Sequence, residues 1–221
     1  MPSRLRPVAS VAAEAILVGD PGRSLLLAQE LLEQPKMSNH ARGLWGYHGR
    51  TPAGRELTVQ ATGMGGPSAA LVLTELAGLG VRRAVRVGTC TAVSDAVAVG
   101  ELVVVEEAHA WGGPGRREGE AVDPDPELTR ALAEQLGDRA RLGSVASLDV
   151  PHGEPTEAAP DELTAAVADM QTAALLARGA DLGVALAAVL IVSERRQGEL
   201  LGDGELETLA KAAGNAAARS L

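Results

Sequence analysis

The sequence predicts an α/β fold: a mixed, mostly parallel twisted sheet with helices on both faces. Three observations predict it. Short apolar runs of strand length alternate with longer segments of helical spacing. Several runs are apolar without interruption, as in strands buried on both sides. The glycine-rich stretches follow strand ends, where ligands of such sheets bind.

The elements follow in order. The run Ala15-Ile16-Leu17-Val18 is a first strand, and residues 24–32 carry helical spacing through Leu25, Leu26, Ala28, Gln29 and Leu32. Residues 37–43 are polar and rich in turn formers. Residues 44–48 and 57–60 flank Thr51-Pro52-Ala53-Gly54, the signature of a hairpin turn. Pro67-Ser68 opens an apolar helix over residues 69–79, closed by Gly80. Residues 84–87 and 102–106 are strands, 123–137 a polar-faced helix entered at Pro124 or Pro126, and 142–148 a strand. Residues 151–160 are rich in Pro, Gly and Glu and read as a loop. Residues 163–178 form a helix, 184–192 a continuous apolar strand and 204–221 a terminal helix. No internal repeat or long linker divides the chain, so residues 1–221 are expected as one domain.

Composition narrows the function. The chain has 221 residues, 46% of them hydrophobic, enough for a sizeable core. Phe is absent and the aromatics are two Trp and one Tyr, so the core must be Leu, Val, Ala and Ile. A net charge of -9 argues against a nucleic-acid partner, whose phosphates need basic surfaces. No segment is a plausible membrane span. The one cysteine, Cys90, cannot form an internal disulfide, which suits a reducing cytoplasm. Residues 11–18 resemble a signal peptide only loosely, because Glu14 interrupts the apolar run. The four histidines and the cysteine lack metal-ligand spacing, so no metal is expected. The acidic run over residues 118–127 reads as a solvated face.

Three stretches carry the chemistry: Gly19-Asp20-Pro21-Gly22-Arg23, Gly63-Met64-Gly65-Gly66-Pro67-Ser68 and Arg86-Val87-Gly88-Thr89-Cys90. Each follows a strand-like run and is expected to open into a loop or helix. Glycines there let the backbone approach a ligand, and successive N–H groups can form an anion-binding concavity. Two of the stretches add an arginine, whose planar fork matches phosphate oxygens. Together they point to one site for a phosphate-bearing or phosphate-consuming reaction.

These stretches, with Asn39-His40-Ala41-Arg42-Gly43-Leu44-Trp45-Gly46-Tyr47, resemble the nucleoside phosphorylase family of purine nucleoside and uridine phosphorylases. The resemblance is strong over residues 16–105 and traceable beyond, and it is closest to the purine type. It implies a partly barrel-like sheet and phosphorolysis of a purine nucleoside, with inorganic phosphate as co-substrate and no cofactor. Alternatives are a uridine or unusual-nucleoside phosphorylase, or a paralogue that binds phosphate without turnover. The resemblance also implies site residues. Gly19, Arg23, Arg86 and Thr89 bind phosphate, joined by Arg42 from a neighbouring subunit. A homodimer is then the minimal unit, and a homohexamer built as a trimer of dimers the expected assembly. Met64, Met170 and Gln171 face the ribose, and Cys90, Thr91, Asp149 and His152 the base. Glu194 and Arg86 are the catalytic pair.

The nucleoside half departs from the family pattern. Asp169-Met170-Gln171 stands where Glu-Met-Glu is usual, so the ribose meets an amide of fewer acceptors. Thr91 replaces a glycine, adding bulk near the base. Asp149-Val150-Pro151-His152 replaces Asp-x-Phe-Tyr, removing a stacking ring. Ser193-Glu194 replaces Ser-Asp or Ser-Asn, an acid one methylene longer. No histidine precedes His40, and the chain is short around residues 111–119 and 151–160. Blander roles stay open: core packing for Met64 and Met170, an ion pair with Arg195 or Arg196 for Glu194, and a surface position for His152.

Overall fold

The strand β1 (Glu14–Val18) sits mid-sheet. Ala15 and Leu17 pack into the core on one side, Ile16 and Val18 into the core on the other. Both faces are covered, which is why the run is apolar without alternation. The computed structural model describes residues 4–111, 120–149, 165–195 and 198–221. On either side of β1 lie β4 (Glu56–Ala61) and β5 (Arg83–Ala92), both parallel to it. Beyond β4, the strands β3 (Gly46–Arg50) and β2 (Glu33–Asn39) continue the sheet antiparallel.

On its other side β5 pairs in parallel with β10 (Ala185–Arg195). β10 runs antiparallel to β6 (Leu102–Trp111), which is parallel to β8 (Ala140–Leu148). β8 is parallel to β9 (Val167–Asp169), and β9 returns antiparallel to the end of β5. These pairings close a ring of β5, β10, β6, β8 and β9, the barrel-like part of the fold. The short β7 (Glu120–Val122) pairs with β6.

Helices α2 (Gly66–Gly78) and α4 (Thr172–Leu182) pack together over one core, which includes Leu73, Leu76, Leu175 and Leu190. Helices α1 (Pro21–Leu31), α3 (Pro126–Leu136) and α5 (Asp203–Ser220) cover the other, with Leu27, Leu128, Leu132 and Ile191. Leu, Val, Ala and Ile make up nearly all of both cores, and Tyr47 is the one buried aromatic among the described residues.

Three expectations about local structure are corrected. Arg86-Val87-Gly88-Thr89-Cys90 is not a loop at a strand end but part of β5. β1 stops at Val18, level with the residue after Arg86, whereas β10 and β9 keep β5 hydrogen-bonded as far as Ala92. Long-range pairing thus extends a strand that glycine would have ended. Residues 163–178 are not one helix. The described part, from residue 165, holds β9, and the helix starts only at Thr172. The open edges of β5 and β8 capture residues 167–169, overriding local helical spacing. Residues 37–43 are not all turn: Met37, Ser38 and Asn39 belong to β2, paired with β3, and only Ala41–Gly43 forms a 3₁₀ turn. The loop expected over residues 151–160 and the segment 112–119 lie outside the described residues.

Candidate active site

A cavity of about 640 Å³ opens where β1, β4, β5 and β10 present their carboxyl-terminal halves. Asp20 caps α1, its carboxylate accepting from the backbone N–H of Gly22 at 2.9 Å and of Arg23 at 3.3 Å. Pro21 fits the first helical position, where no N–H is needed. The positive end of the α1 dipole therefore faces the cavity beside Gly19, a setting that favours an anion. Arg23 projects into the same space. Burial pushes its guanidinium pKa down; Asp20 opposes that shift and Arg86 adds to it. Two guanidinium groups thus share one space, which a multivalent anion would relieve.

The second wall is the turn from β4 into α2. Gly63 and Gly65 have φ of 74° and 79°, the left-handed region open to glycine. A Cβ on Gly63 would also stand 2.8 Å from Ser68 Oγ, which donates to the carbonyl of Thr62.

The third wall is β5 with the start of α4, and its centre is Arg86, only 4% exposed. Nε donates to Thr172 Oγ1 at 3.0 Å, Nη1 to Gln171 Oε1 at 2.8 Å and Nη2 to Asp169 Oδ2 at 2.9 Å. That engages three of the five guanidinium N–H groups, and the other two have no partner among the described residues. The side chain lies over Gly88, where a Cβ would come within 2.6 Å of Nη2 and 2.7 Å of Cζ. Residues 86 and 88 point to the same face of β5, so the glycine is what lets the guanidinium lie there.

Asp169 is hydrogen-bonded at both carboxylate oxygens. Its Oδ1 accepts from Ser147 Oγ at 2.5 Å, and Oδ2 from Thr172 Oγ1 at 2.6 Å, besides the N–H of Thr172 and Arg86 itself. Gln171 bridges two walls. Its Oε1 accepts from Arg86 and from Thr62 Oγ1, and its Nε2 donates to the carbonyls of Gly63 and Gly65. A donor on one side and two carbonyls on the other fix the orientation of the amide. The buried ion pair is thus hydrogen-bonded at all three guanidinium nitrogens and both carboxylate oxygens, the condition under which such a pair is tolerated.

The fourth wall carries Cys90, Thr91, Ser193 and Glu194. The Cys90 thiol is buried and points at the carbonyl of Ile191. Burial, with smaller contributions from Asp169 and Glu194, raises its pKa well above the ordinary thiol range, so it is a neutral wall rather than a nucleophile. Thr91 Oγ1 donates to Glu194 Oε1 at 2.7 Å. Arg195 does not pair with Glu194; it binds Asp95 and the carbonyl of Val97.

Of the residues singled out from sequence, Gly19, Arg23, Arg86 and Thr89 line this cavity. So do Met64, Met170, Gln171, Cys90, Thr91 and Glu194. Two do not. Arg42 is exposed in the 3₁₀ turn, with φ of 60°, and takes no part in the lining. Asp149 lines a separate hollow of about 280 Å³, beside Arg178 and Asp181. His152 lies outside the described residues. Sequence reasoning passed over Asp20, Asp169 and Ser193 as lining residues and Ser147 and Thr172 as supports. Asp20-Pro21 is itself a helix-start signal that could have marked the first. Nothing local marks Ser147.

Among the described residues, no group of three or more His, Cys, Asp or Glu side chains could hold a metal ion. No described helix is long and apolar enough to cross a membrane.

Comparison with known proteins gives the family. The profile of the phosphorylase superfamily matches residues 14–221. A DeoD-type purine nucleoside phosphorylase of Clostridium beijerinckii is 32% identical over 198 residues, covering 85% of this chain and 83% of the relative. Its namesake from Lactococcus lactis subsp. cremoris is 30% identical over 192 residues, covering 83% and 82%. That of Oceanobacillus iheyensis is 39% identical over 99 residues, 44% of this chain and 42% of the relative.

Proposed function

The chain belongs to the phosphorylase superfamily, and from that premise we propose that it cleaves purine nucleosides with inorganic phosphate, as a pentosyltransferase. The observation that carries this reading is the convergence of Arg23, Arg86 and the N-terminus of α1 on one cavity whose far wall holds Glu194. The similar proteins are named as purine enzymes, so the uridine and inactive alternatives are not favoured.

Phosphate sits between Arg23 and Arg86, held also by the Gly19 N–H and the Thr89 hydroxyl. The two N–H groups of Arg86 that have no partner among the described residues are the donors this reading gives to the oxyanion. The sugar lies against Met64 and Met170, and the base against Cys90 and Thr91. A phosphate oxygen attacks C1′ of the sugar. The C1′–N9 bond breaks, its electron pair passing to the purine. Glu194, as the general acid, gives a proton to N7, so the base leaves neutral and the sugar leaves as its 1-phosphate. Holding both reactants in one cavity contributes the entropy of their encounter. No cofactor takes part.

Arg42 is displayed on the surface, away from its own cavity, which fits a role in a neighbour's site. The minimal unit is then a dimer, and the expected assembly a trimer of dimers. The whole chain acts as one phosphorylase-like domain. Its single buried thiol suits the cytoplasm.

The test is release of free base from a panel of nucleosides with and without phosphate. Phosphate-dependent release from inosine, guanosine or adenosine is expected. Release only from pyrimidine nucleosides, or no release from any, would overturn the assignment.

A further inference from the structure

Two residues that set this cavity apart from the family pattern, Thr91 and Glu194, touch each other. They are register partners across β5 and β10, immediately after a bulge between Val192 and Glu194. The bulge takes Ser193 out of the ladder and re-aims the residue that follows. The Thr91 hydroxyl donates to Glu194 Oε1 at 2.7 Å. Thr91 is 6% exposed and β-branched, so its hydroxyl has little freedom to turn away. Glu194 makes no ion pair with a described residue, and its Oε2 accepts no hydrogen bond from one.

A glutamate carries one more rotatable bond than an aspartate. Left free, its carboxyl group would sweep the cavity, and fixing it would cost side-chain entropy at each turnover. From these contacts we infer that Thr91 is a positioning residue for Glu194. Its hydroxyl fastens Oε1 and so directs Oε2, the oxygen that carries the proton, toward the leaving base. The threonine that narrows the base site and the acid that overreaches it therefore act as one unit. This inference rests on the role given to Glu194 above.

The experiment compares two nucleosides in saturating phosphate. Inosine needs a proton on its leaving base. 7-Methylinosine does not, because its base already carries the positive charge that the proton would supply. Thr91→Val removes the hydroxyl at nearly constant volume and is expected to lower kcat on inosine about tenfold or more, and on 7-methylinosine less than about threefold. Thr91→Ser, which keeps the donor, is expected to restore inosine turnover to within about threefold of the parent. Thr91→Val combined with Glu194→Gln should be no slower on inosine than Glu194→Gln alone, the non-additivity of residues acting together. Thr91→Ala serves the same purpose should the valine variant fail to fold. Equal losses on both substrates, no loss on either, or additive effects would overturn the positioning role while leaving phosphorolysis intact. A parent protein that turns over neither nucleoside overturns the functional reading and this inference with it.

Discussion

Gly88→Ala tests the site at its most crowded point. An added Cβ would lie 2.6 Å from Arg86 Nη2, 2.7 Å from Cζ and 2.9 Å from Leu190 Cδ2. Comfortable contacts between such atoms are about 3.5–4.0 Å, so the guanidinium must retreat by roughly 1 Å or β5 must bow away from β10. The guanidinium is the softer partner, but it is tied to Asp169, Gln171 and Thr172 by hydrogen bonds of 2.8–3.0 Å. Overpacking of this kind costs about 1–3 kcal/mol. For a domain of this size that lowers Tm by roughly 2–12 °C. A 1 Å misplacement of a group that orients a reactant costs on the order of a hundredfold in rate. The phosphate dependence of inosine cleavage and a thermal melt therefore read the two effects separately. The expected outcome is a kcat/KM for phosphate lower by about two orders of magnitude and a modest drop in Tm. A variant with parental phosphate kinetics and parental Tm would refute the claim that Gly88 exists to seat Arg86.

Four further outcomes are expected. Arg86→Ala strands the buried Asp169 carboxylate and should destabilise the fold by about 3–5 kcal/mol in urea titrations, as well as abolishing phosphate dependence. Gln171→Ala frees Arg86 from the turn at Gly63 and Gly65, so the KM for phosphate should rise about tenfold or more; a change confined to the nucleoside KM would refute the bridge. Cys90 has a raised thiol pKa in the fold, so the unfolded chain ionises first and stability should fall as pH rises above the ordinary thiol value of about 8.5. Urea midpoints across that range read the slope, which Cys90→Ala should flatten. Finally, mixing Arg42→Ala with Glu194→Gln subunits, each nearly inactive alone, should recover about a quarter of parental activity, since half the dimers are hybrids and each hybrid holds one intact site. Absence of recovery after verified subunit exchange would place Arg42 outside a shared site.

Much of the fold is readable along the chain. The unbroken apolar runs of β1 and β10 already imply strands covered on both faces, and Pro67-Ser68 already implies a helix start. Legibility fails where a segment's partner lies far away. Residues 167–169 carry helical spacing, yet they complete the ring between β8 and β5. The stretch after Arg86 looks like a turn, yet β10 holds it extended. Local propensities differ by tenths of a kcal/mol per residue, so a pair of open strand edges outweighs them.

The same division runs through the site. Glycine loops at strand ends and two arginines point from sequence alone to an anion site, because those features act over a few consecutive residues. Which polar groups remain free to meet a substrate is decided only in three dimensions. Gln171 and Asp169 spend their hydrogen bonds on Arg86, 85 and 83 residues away, and Glu194 is tied to Thr91, 103 residues away. Hydrogen-bond capacity is finite and set by neighbours in space, and no pattern along the chain records who those neighbours are.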